Sequence, residues 1–243
     1  MESTLKEIDL NDFPVSFRVI GYGESFQDLI QEINKIGYEG LQTDVLKEGD
    51  VILPTDEDKM IIIFCATACE GLENFLKTFH QAGVLTIVIS TDQLEIPADT
   101  YDSLMVANRS EMISAVKTLM NPVFYQGRIN YDFNDLAYTL RDSSLFITLT
   151  ATGSGTDRMK KAVASLSDMF PTDEGFENMS LIIRANERAI EPPLCMDEMS
   201  LITDYIGHLP ESVNVIWGMY NDDKLDSKTI GLSVIASGKN IKL

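Results

Sequence analysis

The 243-residue sequence predicts an α/β protein with a parallel first half covered by helices on both faces, a central helix, and a smaller α+β second half. Short apolar runs alternate with single helical patterns in the first half, and the run KMIIIFCA at residues 59–66 is apolar almost throughout, as in strands buried on both faces. The alternation starts again after residue 140. We expect two domains, at residues 1–109 and 122–243, with separate sheets joined by a helix at residues 110–121.

The first half contains five strand patterns and two helical ones. Its strands are predicted at residues 16–21, 40–45, 59–66, 84–90 and 103–107. Its helices are predicted at residues 26–36 and 71–81.

The central helix is predicted from apolar residues at helical spacing behind Ser110, whose hydroxyl suits an N-cap. Pro122 should end it, because proline removes a backbone donor and disfavours a helical residue before it. We expect this helix to contact both halves and to bury Ile113 and Val116.

The second half begins with a strand at residues 145–152, and a turn at residues 153–155 leads into a helix capped by Thr156 or Asp157. An exposed loop at residues 170–178 follows. The remaining elements are strands at residues 179–184, 213–220 and 229–237 and a helix at residues 196–206. The polar segment at residues 221–228 predicts a hairpin between the last two strands.

Composition excludes several classes of function. The net charge of −19 opposes binding to nucleic acid and to anionic membrane surfaces. Neither a membrane-length apolar run nor a signal peptide is recognisable, so we expect a cytoplasmic protein. Three cysteines, Cys65, Cys69 and Cys195, accompany only two histidines, His80 and His208, which is a poor basis for a metal site. We expect no metal and three reduced, mostly buried thiols.

A polar loop after the central helix contains Asn130, Asp132 and Asp135, three short polar side chains at the entrance of a further helical pattern. Carboxylates at this spacing can orient a water molecule or a metal ion. The alternative is structural: Asp132 caps the helix, and Asp135 lies in its first turn, where the helix dipole favours negative charge. The residues alone favour capping.

A glycine-containing loop follows the first strand. Gly21 and Gly23 begin like a dinucleotide fingerprint, but Phe26 stands at the third glycine position and Glu24 adds a negative charge. This loop is interpreted as structural.

Two further loops precede helices. Residues 67–71 follow the most apolar strand, but Glu70 there would repel a phosphate. Residues 153–156 have Lys160 and Lys161 behind them, yet they lack the closing motif of a phosphate-binding P-loop. Both are also interpreted as structural.

Four segments, in this order, resemble the FtsZ/tubulin family, and the resemblance runs from about Ser16 to Gly238. The segment INYDFNDL at residues 129–136 is similar to the family's "vNvDfaDv". The others are FRVIGYG at residues 17–23, AGVLTIVIS at residues 82–90 and NVIWGMYNDDKLDSKTIGLSVIAS at residues 214–237.

The resemblance implies a tubulin/FtsZ-like fold with a Rossmann-like first half. It favours a functional role for Asn130, Asp132 and Asp135, because in that family this loop reaches the nucleotide pocket of the next filament subunit and activates GTP hydrolysis. The residues that would contact GTP, if GTP binds, are Gly21, Gly23, Thr67 and Gly71.

The sequence departs from the family where GTP would be held. The family's GGGTGTG segment should lie at residues 67–71, where this chain reads TACEG. Few glycines and an added glutamate disfavour close contact between the backbone and phosphates. The chain is also shorter than the family's core around residues 43–59 and 91–102.

We therefore expect a degenerate GTPase without a cofactor, which acts in cell-division or cytoskeletal assembly with itself or with an FtsZ-type filament subunit. One alternative is a working GTPase that holds GTP with Mg²⁺ and completes its site head-to-tail through the Asn130, Asp132 and Asp135 loop. Another is a small-molecule-binding protein unrelated to filaments.

Overall fold

The computed structural model describes residues 16–47, 49–170, 175–239 and 241. In the first half, the strands and helices lie close to the predicted positions, and a 3₁₀ turn at Glu24–Phe26 precedes the first helix. These elements are β1 (Ser16–Tyr22), α1 (Gln27–Asn34), β2 (Leu41–Leu46), β3 (Asp58–Cys65), α2 (Glu70–Gln81), β4 (Leu85–Ser90) and β5 (Ser103–Val106).

Two helices connect this part to the second half, and the second half then alternates strands and helices as predicted. The connecting helices are α3 (Arg109–Phe124) and α4 (Phe133–Leu140). The second half contains β6 (Ser144–Ser154), α5 (Arg158–Met169), β7 (Asn178–Ala185), α6 (Met196–Gly207), β8 (Asn214–Asn221) and β9 (Thr229–Gly238). The expected loop at residues 170–178 falls partly outside the described residues, because 171–174 are not among them.

All nine strands belong to one sheet, in the order β2-β1-β3-β4-β5-β6-β9-β7-β8. The expectation of separate sheets is therefore wrong. The halves join through only two residue pairs of β5 and β6, Ser103 with Ser144 and Leu104 with Leu145. The chain reaches the free edge of β5 because the residue at each of positions 142 and 144 has a positive φ, 53° and 65°. The domain boundaries at residues 109 and 122 stay a prediction.

The predicted hairpin between β8 and β9 is also wrong. β7 lies between them, parallel to β8 and antiparallel to β9. The polar segment after β8 therefore passes over the end of β7 instead of making a tight turn. β9 pairs along its whole length with β6 on its other side.

The central helix is longer than predicted. Asn108, not Ser110, is its N-cap and accepts hydrogen bonds from the backbone N–H groups of Ser110 and Glu111 at 3.1 Å each. Pro122 lies inside its last turn, where it offers no N–H to the carbonyl one turn earlier, and the helix ends two residues later. Val116 is fully buried, whereas Ile113 is only partly buried. As predicted, α3 contacts both halves, through α1 on one side and β8 and β9 on the other.

The sheet is covered on both faces. α1, α3 and α4 pack on one face, and α2 packs on the opposite face of the first half. α5 and α6 cover the second half and form a core of their own with it. None of the described helices is long and apolar enough to span a membrane.

Candidate functional site

The two groups of predicted site residues lie at opposite ends of α3. At its first residue, Arg109 donates a hydrogen bond to the backbone oxygen of Ser25 and lies over the Phe26 ring, beside the glycine-containing loop after β1. At its last residue, the Phe124 ring contacts Phe17, which also contacts Phe133 at the start of α4. A helix of 16 residues is about 24 Å long. One molecule therefore does not bring both groups together.

Gly21 and Gly23 each have a structural reason to be glycine. A Cβ on Gly21 would lie 2.7 Å from the Cβ of Phe26, so the turn packs too closely on β1 for any side chain. Gly23 has φ 114°, which L-residues rarely adopt. The chain at this loop needs both glycines whether or not a ligand binds.

The hydroxyl of Tyr22 occupies the space above the first turn of α2. A Cβ on Gly71 would lie 2.7 Å from that hydroxyl oxygen, and the Sγ of Cys69 is 3.9 Å from it. The Tyr22 ring also packs near Phe75, with 6.2 Å between centroids. Thr67 is exposed beside this contact. The Tyr22 phenol therefore lies beside Gly71 in the first turn of α2, while Gly71 and Glu70 remain exposed.

The two glutamates at this end of the sheet have different surroundings. Glu24 forms an ion pair with Lys47, with 2.7 Å between Oε1 and Nζ, and both side chains are largely exposed. The hydrogen bond and charge of Lys47 lower the pKa of Glu24. Glu70 is exposed in the first turn of α2. The negative charge of Glu24 is thus partly balanced, and Glu70 is the glutamate that faces a phosphate approaching α2.

The acidic loop at the other end forms a capping box. Asp132 is the N-cap of α4, and its Oδ1 accepts the backbone N–H groups of Asn134 at 2.7 Å and Asp135 at 3.3 Å. The N–H of Asp132 donates in return to Oδ2 of Asp135 at 2.9 Å. Asn130 and Asp132 are exposed, and Asp135 is half-buried. The capping interpretation is confirmed for this geometry, and a role at an interface stays a prediction.

The third glycine-containing loop, at residues 153–156, is hydrogen-bonded to the helix that follows it. Residues 153 and 154 belong to β6, and Lys161 donates from Nζ to the backbone oxygen of Ser154 at 2.8 Å. Asp157 is the N-cap residue of α5, but its side chain makes no capping hydrogen bond. The predicted turn therefore begins at Gly155, which has φ 84°.

The cysteines differ from the expectation that they are mostly buried. Cys65 is buried, and burial raises its pKa to about 12, but Cys69 is half-buried and Cys195 is exposed. In the described part of the chain, no three histidine, cysteine, aspartate or glutamate side chains cluster as metal ligands would.

Tyr22 was not recognised from the sequence as a site residue. The sequence does contain a signal for it. Tyr22 stands between Gly21 and Gly23, and the alternation of side chains along β1 places it on the same face as Ile20, towards α2.

Comparison with known proteins connects this fold to one group. No protein-family model matches the chain. The cell division protein FtsZ of Porphyromonas gingivalis is 27% identical over 211 residues, which cover 84% of this chain. The FtsZ dimer of M. jannaschii superposes with a TM-score of 0.69 at 15% identity, covering 92% of this chain and 88% of that one. The chain is therefore similar to FtsZ in sequence and has the fold of the FtsZ structures.

A TubZ structure is similar to this chain in fold as well. A GTPγS-form TubZ protofilament of Bacillus thuringiensis serovar israelensis has a TM-score of 0.63 at 11% identity and covers 95% of this chain and 88% of that one. The chain spans about 44% of the length of the curated FtsZ that it matches.

Proposed function

We propose that this chain acts in cell-division or cytoskeletal assembly, with itself or with an FtsZ-type filament subunit, and that it neither holds nor hydrolyses GTP on its own. The assembly role is supported by its relatives: one is a cell division protein, and the TubZ structures are protofilaments and a four-stranded filament.

The Tyr22 contact with α2 carries the second part of the proposal. A triphosphate at a helix N-terminus needs exposed backbone N–H groups and close backbone approach. The Tyr22 hydroxyl would lie 2.7 Å from a Cβ on Gly71, so the phenol narrows the space beside Gly71 that a phosphate would enter. Glu70 adds a negative charge at the same helix end, which further disfavours a phosphate. The residues at positions 67–71 do not fit GTP.

A working GTPase is the second candidate, and the acidic loop favours it. Asn130 and Asp132 are exposed about one α3 length from the Tyr22 contact. Two molecules stacked head-to-tail would bring the loop of one to the glycine-containing end of the next. In that arrangement Asp132 and Asp135 supply carboxylates for Mg²⁺ or for orienting the attacking water.

Isothermal titration calorimetry with GTP and Mg²⁺ separates these two candidates. We expect the unmodified chain to bind more weakly than a dissociation constant of about 10 μM. Binding at or below that value contradicts the proposal and supports the working GTPase.

Variants identify what blocks the site. We expect Tyr22→Ala combined with Glu70→Gly to strengthen GTP binding by about tenfold or more, which corresponds to about 1.4 kcal/mol. Tyr138→Ala is the matched control, because it removes a tyrosine that is 55% exposed on α4. If Glu70→Gly alone strengthens GTP binding, the charge of Glu70 is what weakens binding in the unmodified chain. If GTP binding strengthens only when Tyr22 is also replaced, the Tyr22 phenol is what weakens it.

A further inference from the structure

Two cavities lie along the seam between α5 and α6. The first has a volume of about 500 Å³ and is lined by residues near the start of both helices, including Met159 and Glu198. The second has a volume of about 430 Å³ and is lined by residues further along both, including Val163 and Tyr205. The helices therefore run in the same direction, and both begin at the first cavity. Leu201 lines both cavities, so they lie next to each other along this seam, and we call the two together the groove.

Arg158, which lines the first cavity, has an unused hydrogen-bond donor. Its side chain is 2% exposed. Its Nε donates to Oε1 of Glu198 at 2.7 Å, and its Nη2 donates to the backbone oxygen of Pro192 at 2.7 Å and to Oε2 of Glu198 at 3.1 Å. The remaining nitrogen, Nη1, is buried and finds no acceptor among the described residues. Buried donors are rarely left unpaired, so this nitrogen indicates a missing acceptor.

Tyr205 provides a second unused donor in the other cavity. Its hydroxyl is also buried without a partner in the part of the chain that the structure describes. Burial raises the pKa of Tyr205 to about 12, so the hydroxyl keeps its proton. The walls between the two donors are largely apolar and come from Val163, Phe170, Leu201 and Leu209.

The charged side chains around the first cavity determine whether a neutral or an anionic hydrogen-bond acceptor is favoured there. Three cationic side chains line it, and they are outnumbered by four carboxylates. The cations are Arg158, Lys160 and Lys228, and the carboxylates are those of Asp157, Glu191, Asp197 and Glu198. Hydrogen bonds from Arg158 lower the pKa of Glu198 despite its burial, so the charge of Arg158 is already balanced. Donors without excess positive charge favour a neutral acceptor over an anion.

We infer that the groove between α5 and α6 binds a neutral amphiphilic small molecule, with a carbonyl or amide oxygen at Arg158 and an apolar body along Leu201 towards Tyr205. Each cavity alone falls within the range of about 300–1,000 Å³ that is usual for small-molecule sites. The first cavity includes Gly155 and Thr156 of the third glycine-containing loop, but the site lies outside the loops at residues 21–26 and 67–71, so it does not depend on the proposed function.

Octanamide is a suitable probe, because it combines an amide head with an apolar chain. We expect saturable changes in the backbone amide NMR signals of α5 and α6, with a dissociation constant of about 1 mM or lower. Octanoate, which has the same chain and a charged head, should bind at least about fivefold more weakly because of the four carboxylates. If octanoate binds as tightly as octanamide or more tightly, the inference that the site prefers a neutral head group is contradicted.

Three variants test the position of the site. Ser167→Trp places a ring in the second cavity from an exposed position on α5, and we expect it to abolish binding. Leu201→Arg should also abolish binding, whereas Leu53→Arg, at a leucine that is 64% exposed outside the groove, should not. Tyr205→Phe should weaken binding about threefold to tenfold. Octanamide binding that survives both Ser167→Trp and Leu201→Arg, or signal changes confined to residues that do not line the two cavities, overturns the inference.

Discussion

At the scale of single residues, Tyr22 and Glu70 act differently on the same helix end. The proposed exclusion of a phosphate by the Tyr22 hydroxyl rests on the space that it occupies near Gly71, and a steric effect of this kind does not change with salt. Glu70 acts through its charge, which is exposed and therefore screened within about 8 Å at physiological ionic strength. The steric contact is therefore the more persistent of the two.

The Asp132 capping box gives a stability prediction. Asp132→Ala removes the acceptor for two backbone N–H groups, so we expect the free energy of unfolding to fall by about 0.5–2 kcal/mol. Asp135→Ala removes one acceptor and should cost less. Urea denaturation measures both, with Asn130→Ala as the exposed control, which should stay within about 0.5 kcal/mol of the unmodified chain. If Asp132→Ala leaves the stability unchanged, capping does not explain why an aspartate stands at this position, and a role at an interface remains.

At the scale of elements, the junction of β5 and β6 is held by one buried carboxylate. Asp102 is fully buried, and its Oδ2 accepts the N–H of Thr86 at 2.7 Å. Its backbone oxygen accepts the N–H groups of Ser143 and Ser144, the residues that bring the chain onto β5. Its side chain also lies 3.5 Å from Nδ1 of His80. This residue therefore connects two strands, a helix and the entry to β6.

Replacing Asp102 should loosen that junction. Asp102→Ala leaves the buried N–H of Thr86 without its acceptor, and we expect a loss of about 3 kcal/mol in the free energy of unfolding. Asp99→Ala, an exposed aspartate in the same connection, should change it by less than about 0.5 kcal/mol. Thermal unfolding of both variants checks this. A loss below about 1 kcal/mol for Asp102→Ala would mean that backbone hydrogen bonds, including those from Ser143 and Ser144, hold the junction without the carboxylate.

Most elements were predictable because their signals are local. The apolar runs of β3 and β4 and the helical spacing of α2 depend on neighbouring residues only. The position of β7 between β8 and β9 and the pairing of β5 with β6 depend on partners distant in sequence, which periodicity does not encode. At the candidate site, the glycines and glutamates were found, but the contact of Tyr22 with α2 required the tertiary structure.

At the scale of the whole molecule, we expect charge to oppose the proposed self-association. Each copy carries a net charge of −19, and exposed acidic groups stand at both ends of α3, with Glu70 at one and Asp132 at the other. Copies stacked head-to-tail would bring like charges together, and dissolved salt reduces that repulsion.

We therefore expect self-association to strengthen as salt rises from about 0.05 M to about 0.5 M. Sedimentation velocity at several protein concentrations measures this, and Glu70→Gln should shift the onset to lower salt. Association that weakens with salt would indicate an interface made of opposite charges. An FtsZ-type filament subunit added at low salt tests the other proposed partner, through its pelleting with this chain.

The position of β9 has a consequence for synthesis on the ribosome. The five strands of the first half are contiguous in sequence and can assemble while translation continues. β6 and β7 cannot pair with each other, because the strand that belongs between them, Thr229–Gly238, is translated about 45 residues after β7 ends. The nascent second half therefore exposes the facing edges of β6 and β7 until Thr229–Gly238 has been translated, and this is the interval in which a chaperone has most to protect.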